Sequence, residues 1–206
     1  MTSITNSMPS RSPRDVEVIY LQMFSDPGEF SGFPEGVYAQ RVMYPQPEFI
    51  RWLYSVVGGP YYWYERLSWS REQWDDELSE VGSELWVLYV EGTPCGYAQL
   101  DTQVIPRSDD EFGSDVELLY FGLMQWVHGR GLGKAFLEYV LTAAWKMSSY
   151  HAIPEVQRVW VHTCTLDGPY ALKNYCRRGF KEYRREVYHE LVCDVPMSSW
   201  ESMFSR

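Results

Sequence analysis

Cysteine is scarce and scattered in this chain. It holds four, Cys95, Cys164, Cys176 and Cys193, and no two of them form a C-x-x-C pair. Such spacing offers neither a zinc site nor a disulfide framework; it suits reduced thiols and a cytoplasmic setting, with no metal. Long apolar runs are also missing. No stretch approaches the ~20 residues that a membrane-crossing helix needs, so no membrane partner is expected. The opening residues, Met1 to Arg14, carry no hydrophobic segment after their charges, so no secretory signal is expected there. Positive charge is in short supply, with 18 Lys and Arg against 28 Asp and Glu. Because phosphate backbones are gripped mainly by Lys and Arg, that balance argues against nucleic acid and is compatible with a cationic substrate.

What remains is enough for one sizeable core. A chain of 206 residues, 45% of them hydrophobic, has the composition of a folded domain. No internal repeat or linker divides it. Residues 1–13, rich in Ser, Thr and Pro, read as a mobile tail, 14–193 as the domain, and 194–206 as a C-terminal tail.

The centre of the chain is the stretch from Asp115 to Lys134. An apolar run, Val116 to Met124, leads into three glycines at alternate positions, Gly129, Gly131 and Gly133. Leu132, Ala135, Phe136, Tyr139, Val140, Ala143 and Met147 then recur at helical steps. The local reading is strand, glycine loop, helix N-terminus. Backbone N–H groups at a helix start lack intrahelical partners, and the helix dipole favours an anion there. Glycines let that backbone approach a ligand closely, so the unit suits a phosphate. The spacing fits neither common nucleotide fingerprint. A dinucleotide loop needs G-x-G-x-x-G, and a P-loop needs Gly at the place of His128 and Ser or Thr at that of Ala135.

Elsewhere the patterns are coarser. A first strand is expected over 14–23 and a helix over 48–57, ended by Gly58-Gly59-Pro60. Ser70 followed by Gln73 reads as a capping box. Strands at 84–90 and 97–104 flank hairpin chemistry at Glu91-Gly92-Thr93-Pro94. Beyond the central helix come a strand at 157–163, a short helix at 171–177 and a last strand at 183–193. Together these give one mixed α/β sheet.

The loop His128-Gly129-Arg130-Gly131-Leu132-Gly133 resembles the Q/R-x-x-G-x-G/A signature of the GNAT superfamily of N-acetyltransferases, with His128 at the place of Gln or Arg. A second segment, Val161 to Phe180, resembles the family's closing N-x-x-A-x-x-x-Y-x-x-x-G-F. Ala171, Tyr175, Gly179 and Phe180 match, and Gly168 stands at the Asn place beside Asp167. The likeness runs from about Glu84 to Val192.

That resemblance implies a mostly antiparallel sheet flanked by helices, with central strands splayed around acyl-CoA. It implies acetyl-CoA as cosubstrate, its pyrophosphate held by His128, Gly129, Arg130, Gly131, Leu132, Gly133 and Lys134. Backbone groups of Leu123, Met124 and Gln125 would meet the pantetheine, and Gly168, Ala171 and Arg178 would also contact the coenzyme. Tyr175 falls at the family's tyrosine, a proton donor to the departing thiolate; its competing use is core packing. Glu117 is the candidate base, because an aliphatic amine with a pKa near ~10 must lose a proton before it attacks. Strand alternation puts it on one face with Leu119, Phe121 and Leu123; a solvent-facing or ion-paired glutamate is the alternative. His162 is usually the kind of histidine that packs in a strand, and otherwise a reserve base.

The aromatic cluster around Trp63 and Tyr64, with Glu65, lies where the family builds its acceptor pocket, so it could hold a cationic amine. A lid or a homodimer surface is its other use. The expected activity is acetyl transfer to a small primary amine. Transfer to a protein N-terminus or lysine, or acyl-CoA binding without turnover, are the alternatives.

Overall fold

The computed structural model describes residues 10–28 and 30–204. Among the described residues seven strands form a single sheet in the order β2-β3-β4-β5-β6-β1-β7. In chain order the strands are β1 (Arg11–Met23), β2 (Val37–Arg41), β3 (Glu84–Val90), β4 (Thr93–Pro106), β5 (Phe112–Leu123), β6 (Val156–Cys164) and β7 (Lys181–Cys193). The helices are α1 (Pro47–Gly58), α2 (Arg71–Leu78), α3 (Leu132–Lys146), α4 (Ala171–Cys176) and α5 (Ser199–Ser202). Every pairing is antiparallel except that of β5 with β6, which α3 joins.

Local chemistry accounts for the frame. Glu91 and Gly92 link β3 to β4, both at positive φ (49° and 77°), the geometry a two-residue hairpin turn requires. Thr93 and Pro94, grouped with that turn by composition, already belong to β4. The capping box forms: Ser70 Oγ accepts from the Gln73 N–H, and the Ser70 N–H donates to Gln73 Oε1 at 2.9 Å. Helix α3 buries Leu132, Phe136, Leu137, Val140, Leu141 and Ala144. Ala135 and Ala143, expected in that stripe, sit at its margin. Tyr139 is instead covered by Phe30 and Phe33 of the segment after β1, at ring distances of 5.2 and 5.3 Å.

Apolar residues gather on both faces of the sheet. One cluster joins α3 and α4 residues to Val116, Leu118, Phe121 and Leu123 of β5. The other joins α1 and α2 to Leu85, Val87 and Tyr97, with Tyr120 packed against it.

Two boundaries differ from the sequence reading. Residues 11–13, grouped with the N-terminal tail, open β1 and pair with β7, because Arg11 to Pro13 oppose Cys193 to Leu191. Residues 1–9 of that expected tail lie outside the described residues, as do 205 and 206 at the other end. Residues 194–204 end in α5, which docks on α1. The Ser202 hydroxyl donates to the Ser55 carbonyl at 2.6 Å, and the Met197 N–H donates to the Tyr64 hydroxyl at 2.6 Å. Tyr64 in turn donates to the Gly59 carbonyl at 3.0 Å. Tyr64→Phe removes both bonds and is expected to cost about 1–3 kcal/mol, read as a lower urea midpoint with an unchanged slope. An unaltered midpoint would show that the C-terminal segment contributes nothing through this hydroxyl.

Candidate active site

The strand pair β5–β6 holds together only at its start. Parallel pairing runs from Ser114 opposite Val156 to Glu117 opposite Trp160 and then stops. On its other side β5 stays paired with β4 up to Leu123 opposite Gly96. From Leu118 onward β5 therefore presents an edge to a gap, and α3 begins at the end of that gap.

A bulge re-aims β5 at this point. Leu118 opposes Leu100 and Tyr120 opposes Gln99, so Leu119 is an extra residue. Simple alternation fails across it. Glu117 does not share a face with Phe121 and Leu123, which pack with α3; it lies opposite Asp101 on the face that carries Tyr120.

Glu117 is buried, its side chain 8% exposed, and its Oε1 lies 3.0 Å from Nδ1 of His162. That hydrogen bond holds the His162 imidazole above its ordinary pKa, against partial burial, with the charges of Glu117, Asp167 and Glu65 adding to the rise. Asp101 is pushed up by burial and then by the Glu117 charge across the ladder. Tyr20 and Trp160 flank the imidazole at ring distances of 6.0 and 6.3 Å.

Tyr175 sits on the opposite face of the sheet, in the cluster with α3. Its ring packs on Phe180 and Phe121 at 5.8 and 6.4 Å. The ring is buried, yet its hydroxyl is not among the sealed, unpartnered polar atoms and has no hydrogen-bond partner among the described residues. Burial and then the Asp167 charge raise its pKa, so it stays protonated at neutral pH. Asp167 is itself fixed: its Oδ2 accepts from the Thr163 hydroxyl at 2.6 Å and the Cys164 N–H at 3.0 Å. The next residue, Gly168, lies under Tyr61, whose ring a Cβ would meet at 3.3 Å. Ala171 opens α4, its N–H donating to the Gly168 carbonyl at 2.9 Å.

At the glycine loop, Gly131 is the N-cap of α3, with φ 77°. Among the described residues the N–H groups of Gly129, Arg130, Gly131, Leu132 and Gly133 have no backbone acceptor. No acidic side chain stands in the first helical turn. Added Cβ atoms at Gly129 and Gly131 would meet nothing within 4 Å. Unpaired donors beside open space, with Arg130 and Lys134 close by, suit an anionic phosphate.

Other candidates are already engaged. The His128 Nε2–H donates to the Leu123 carbonyl at 2.9 Å, which turns the ring back onto the end of β5. The Met124 N–H donates to the Cys95 carbonyl, and the Met124 and Gln125 carbonyls accept from Val127 and His128. The open backbone is thus mainly the β5 edge upstream, from Leu118. Arg178 is largely buried and pairs with Glu138 at 3.6 Å, bracing α4 against α3; Lys134 reaches the same carboxylate at 3.9 Å.

On the acceptor side, Trp63 fits against Gly58, where a Cβ would come within 2.2 Å of its ring, and packs at a tilt on Tyr120 at 5.0 Å. Tyr64 spends its hydroxyl on the C-terminal segment. Glu65 is exposed and acts through its charge on His162 and Tyr120. Sequence reasoning missed Arg66, which lies over Trp69 and Tyr120 at 4.4 and 4.7 Å and pairs with Glu77. It also missed Asp101, for which two polar residues on one face of an apolar strand, Gln99 and Asp101, were the available signal.

Residues 47–180 match the family model described as Acetyltransferase (GNAT) family. The chain belongs to the GNAT acetyltransferases. Solved structures agree in fold. A GCN5-related N-acetyltransferase from Sphaerobacter thermophilus superposes with a TM-score of 0.53 at 17% identity, over 93% of this chain and 54% of that one. An aminoglycoside acetyltransferase from an uncultured soil metagenomic sample, in complex with trehalose, has a TM-score of 0.54 at 16% identity, over 70% of this chain and 88% of that one. This GNAT chain thus spans little more than half the length of the Sphaerobacter protein. No curated protein sequence matches it.

Proposed function

We propose that this chain moves an acetyl group from acetyl-CoA to a small cationic primary amine by direct attack. The observation that carries the reading is the gap beside β5. Unpaired N–H donors at the α3 start border it, Tyr175 lies on the α3 face and Glu117 on the other. A cosubstrate entering along the glycine loop would bring its thioester to the gap, where an amine from the Glu117 side could reach it. Acetyl-CoA would supply the activated acyl group, and its phosphates suit the donors of Gly129 to Gly133.

The chain's own groups would then divide the work. Glu117 takes the ammonium proton, since a protonated amine has no lone pair with which to attack. Free N–H groups along the β5 edge polarise the acyl carbonyl; one such donor is worth ~3 kcal/mol in other acyl-transfer enzymes. The Tyr175 hydroxyl gives a proton to the leaving thiolate and needs no rearrangement to do so, because no internal partner holds it. Asp101, Glu65 and Asp167 supply the negative field a cationic acceptor would meet. A neighbour of this fold named an aminoglycoside acetyltransferase supports an amine acceptor of small-molecule size.

Thiol release from acetyl-CoA across an amine panel, run beside coenzyme-induced thermal shift, tests the reading. Release with free amines and not with peptides is expected. A thermal shift without release would leave coenzyme binding and overturn the transfer. Gly131→Val probes the cosubstrate site separately. A β-branched residue resists φ 77°, and its side chain would stand in the open space beside the donors. The Kd for acetyl-CoA is expected to rise about tenfold or more, or ≥ ~1.4 kcal/mol. An unchanged Kd in the folded variant would remove the cosubstrate from this loop.

A further inference from the structure

A buried base needs an outlet. Glu117 takes a proton in every turnover, yet only 8% of its side chain is exposed, and each proton must reach solvent before the next acceptor arrives. One polar side chain hydrogen-bonds to it among the described residues, His162, at 3.0 Å from Oε1 to Nδ1. His162 itself is 43% exposed, and it lies on β6 across the gap, on the same side as Glu117. An imidazole has two nitrogens on opposite sides of its ring, one able to face the carboxylate while the other faces water. Burial, distance and ring geometry thus converge on one path.

We infer that His162 is the proton relay that connects Glu117 to solvent, a positioning residue that also carries the proton. The inference rests on the acetyl-transfer reading above. In the step, the ammonium N–H bond breaks and an O–H bond forms on Glu117. That O–H bond then breaks as an N–H bond forms at Nδ1 of neutral His162. The imidazolium loses its Nε2 proton to water, and proton exchange with solvent returns the ring to the Nε2–H tautomer before the next turnover, so the net change over the cycle is one proton moved from amine to solvent.

The charged and titratable groups around the imidazole are Glu117 from β5, Asp167 from the loop after β6, Glu65 from the turn before α2, and Tyr20 from β1. The three carboxylates favour the protonated ring. The relay accepts a proton only when His162 is neutral. The rate should therefore rise with pH through the His162 titration, at a pH above the ordinary ~6.5 of a histidine.

The test compares three proteins with the best amine found. His162→Asn retains an N–H at the Nδ1 place, so it preserves the hydrogen bond to Glu117 and removes the proton path. His162→Ala removes both. Expected are a fall in kcat of about 10²-fold in both variants, a KM for acetyl-CoA within about twofold of wild type, and loss of the low-pH limb. Added imidazole should restore the His162→Ala rate in a saturable way, which repair of a merely structural defect would not do. Wild-type kcat with an unaltered pH limb in His162→Asn and His162→Ala would overturn the relay while leaving acetyl transfer standing. A wild type that binds coenzyme but acetylates no amine would overturn the transfer reading, and the relay with it. NMR titration gives a readout without turnover: Glu117→Gln should move the His162 titration downward, and an unmoved titration would overturn the coupling.

Discussion

Glu117→Gln is expected to lower kcat about 10²–10⁴-fold, the range of a lost general base, with little change in affinity for acetyl-CoA. The substitution is close to isosteric, which matters at a site only 8% exposed. Its amide oxygen still accepts a hydrogen bond from the His162 ring, so β5 and β6 keep their contact across the start of the gap. What the amide cannot do is take a proton from an ammonium ion. The loss should fall on kcat and kcat/KM alike, the sign of an interaction made in the transition state. A variant with wild-type kcat would move proton removal to another group, and Asp101, directly opposite on β4, would be the next to test.

The largest effect on stability is expected from Phe136→Ala. Phe136 is fully buried one turn into α3 and stacks on Phe121 of β5 at 5.4 Å. Truncating a buried phenylalanine removes its transfer energy and leaves a cavity, together about 3–5 kcal/mol. For a chain of this size that corresponds to a fall in Tm of roughly 10 °C. The same residue seats the start of α3 on the strand that borders the gap, so the variant should also bind acetyl-CoA more weakly at temperatures where it is folded. Retention of full thermal stability would mean that neighbouring Leu132 and Val140 close the space unaided.

The strand, glycine loop and helix were legible because each rests on local chemistry: an apolar run, alternating glycines and a helical period. The capping box at Ser70 and the hairpin at Glu91-Gly92 were legible for the same reason. Strand β2 was not, since five residues, Val37–Arg41, alternate in burial without an apolar signature. Contacts between distant residues were out of reach. Glu117 meets His162 across 45 positions and Tyr64 meets Met197 across 133, and no local pattern encodes either pairing. Alternation also misplaced Glu117 relative to Phe121. A period of two assumes an unbroken ladder, and a bulge leaves no mark in the sequence.

That bulge has an engineering consequence. In most strands, removing one residue turns every later side chain over and ruins the sheet. Leu119 is already surplus to the ladder, with no residue of β4 opposite it. Removing it would leave Tyr120 and Phe121 on the faces they now occupy, and because the residues after it keep their partners on β4, the strand would lose its local bend while the glycine loop stayed in register. The bend of β5 at the mouth of the gap is therefore set by a single residue, a dial that can be turned without rewriting either core.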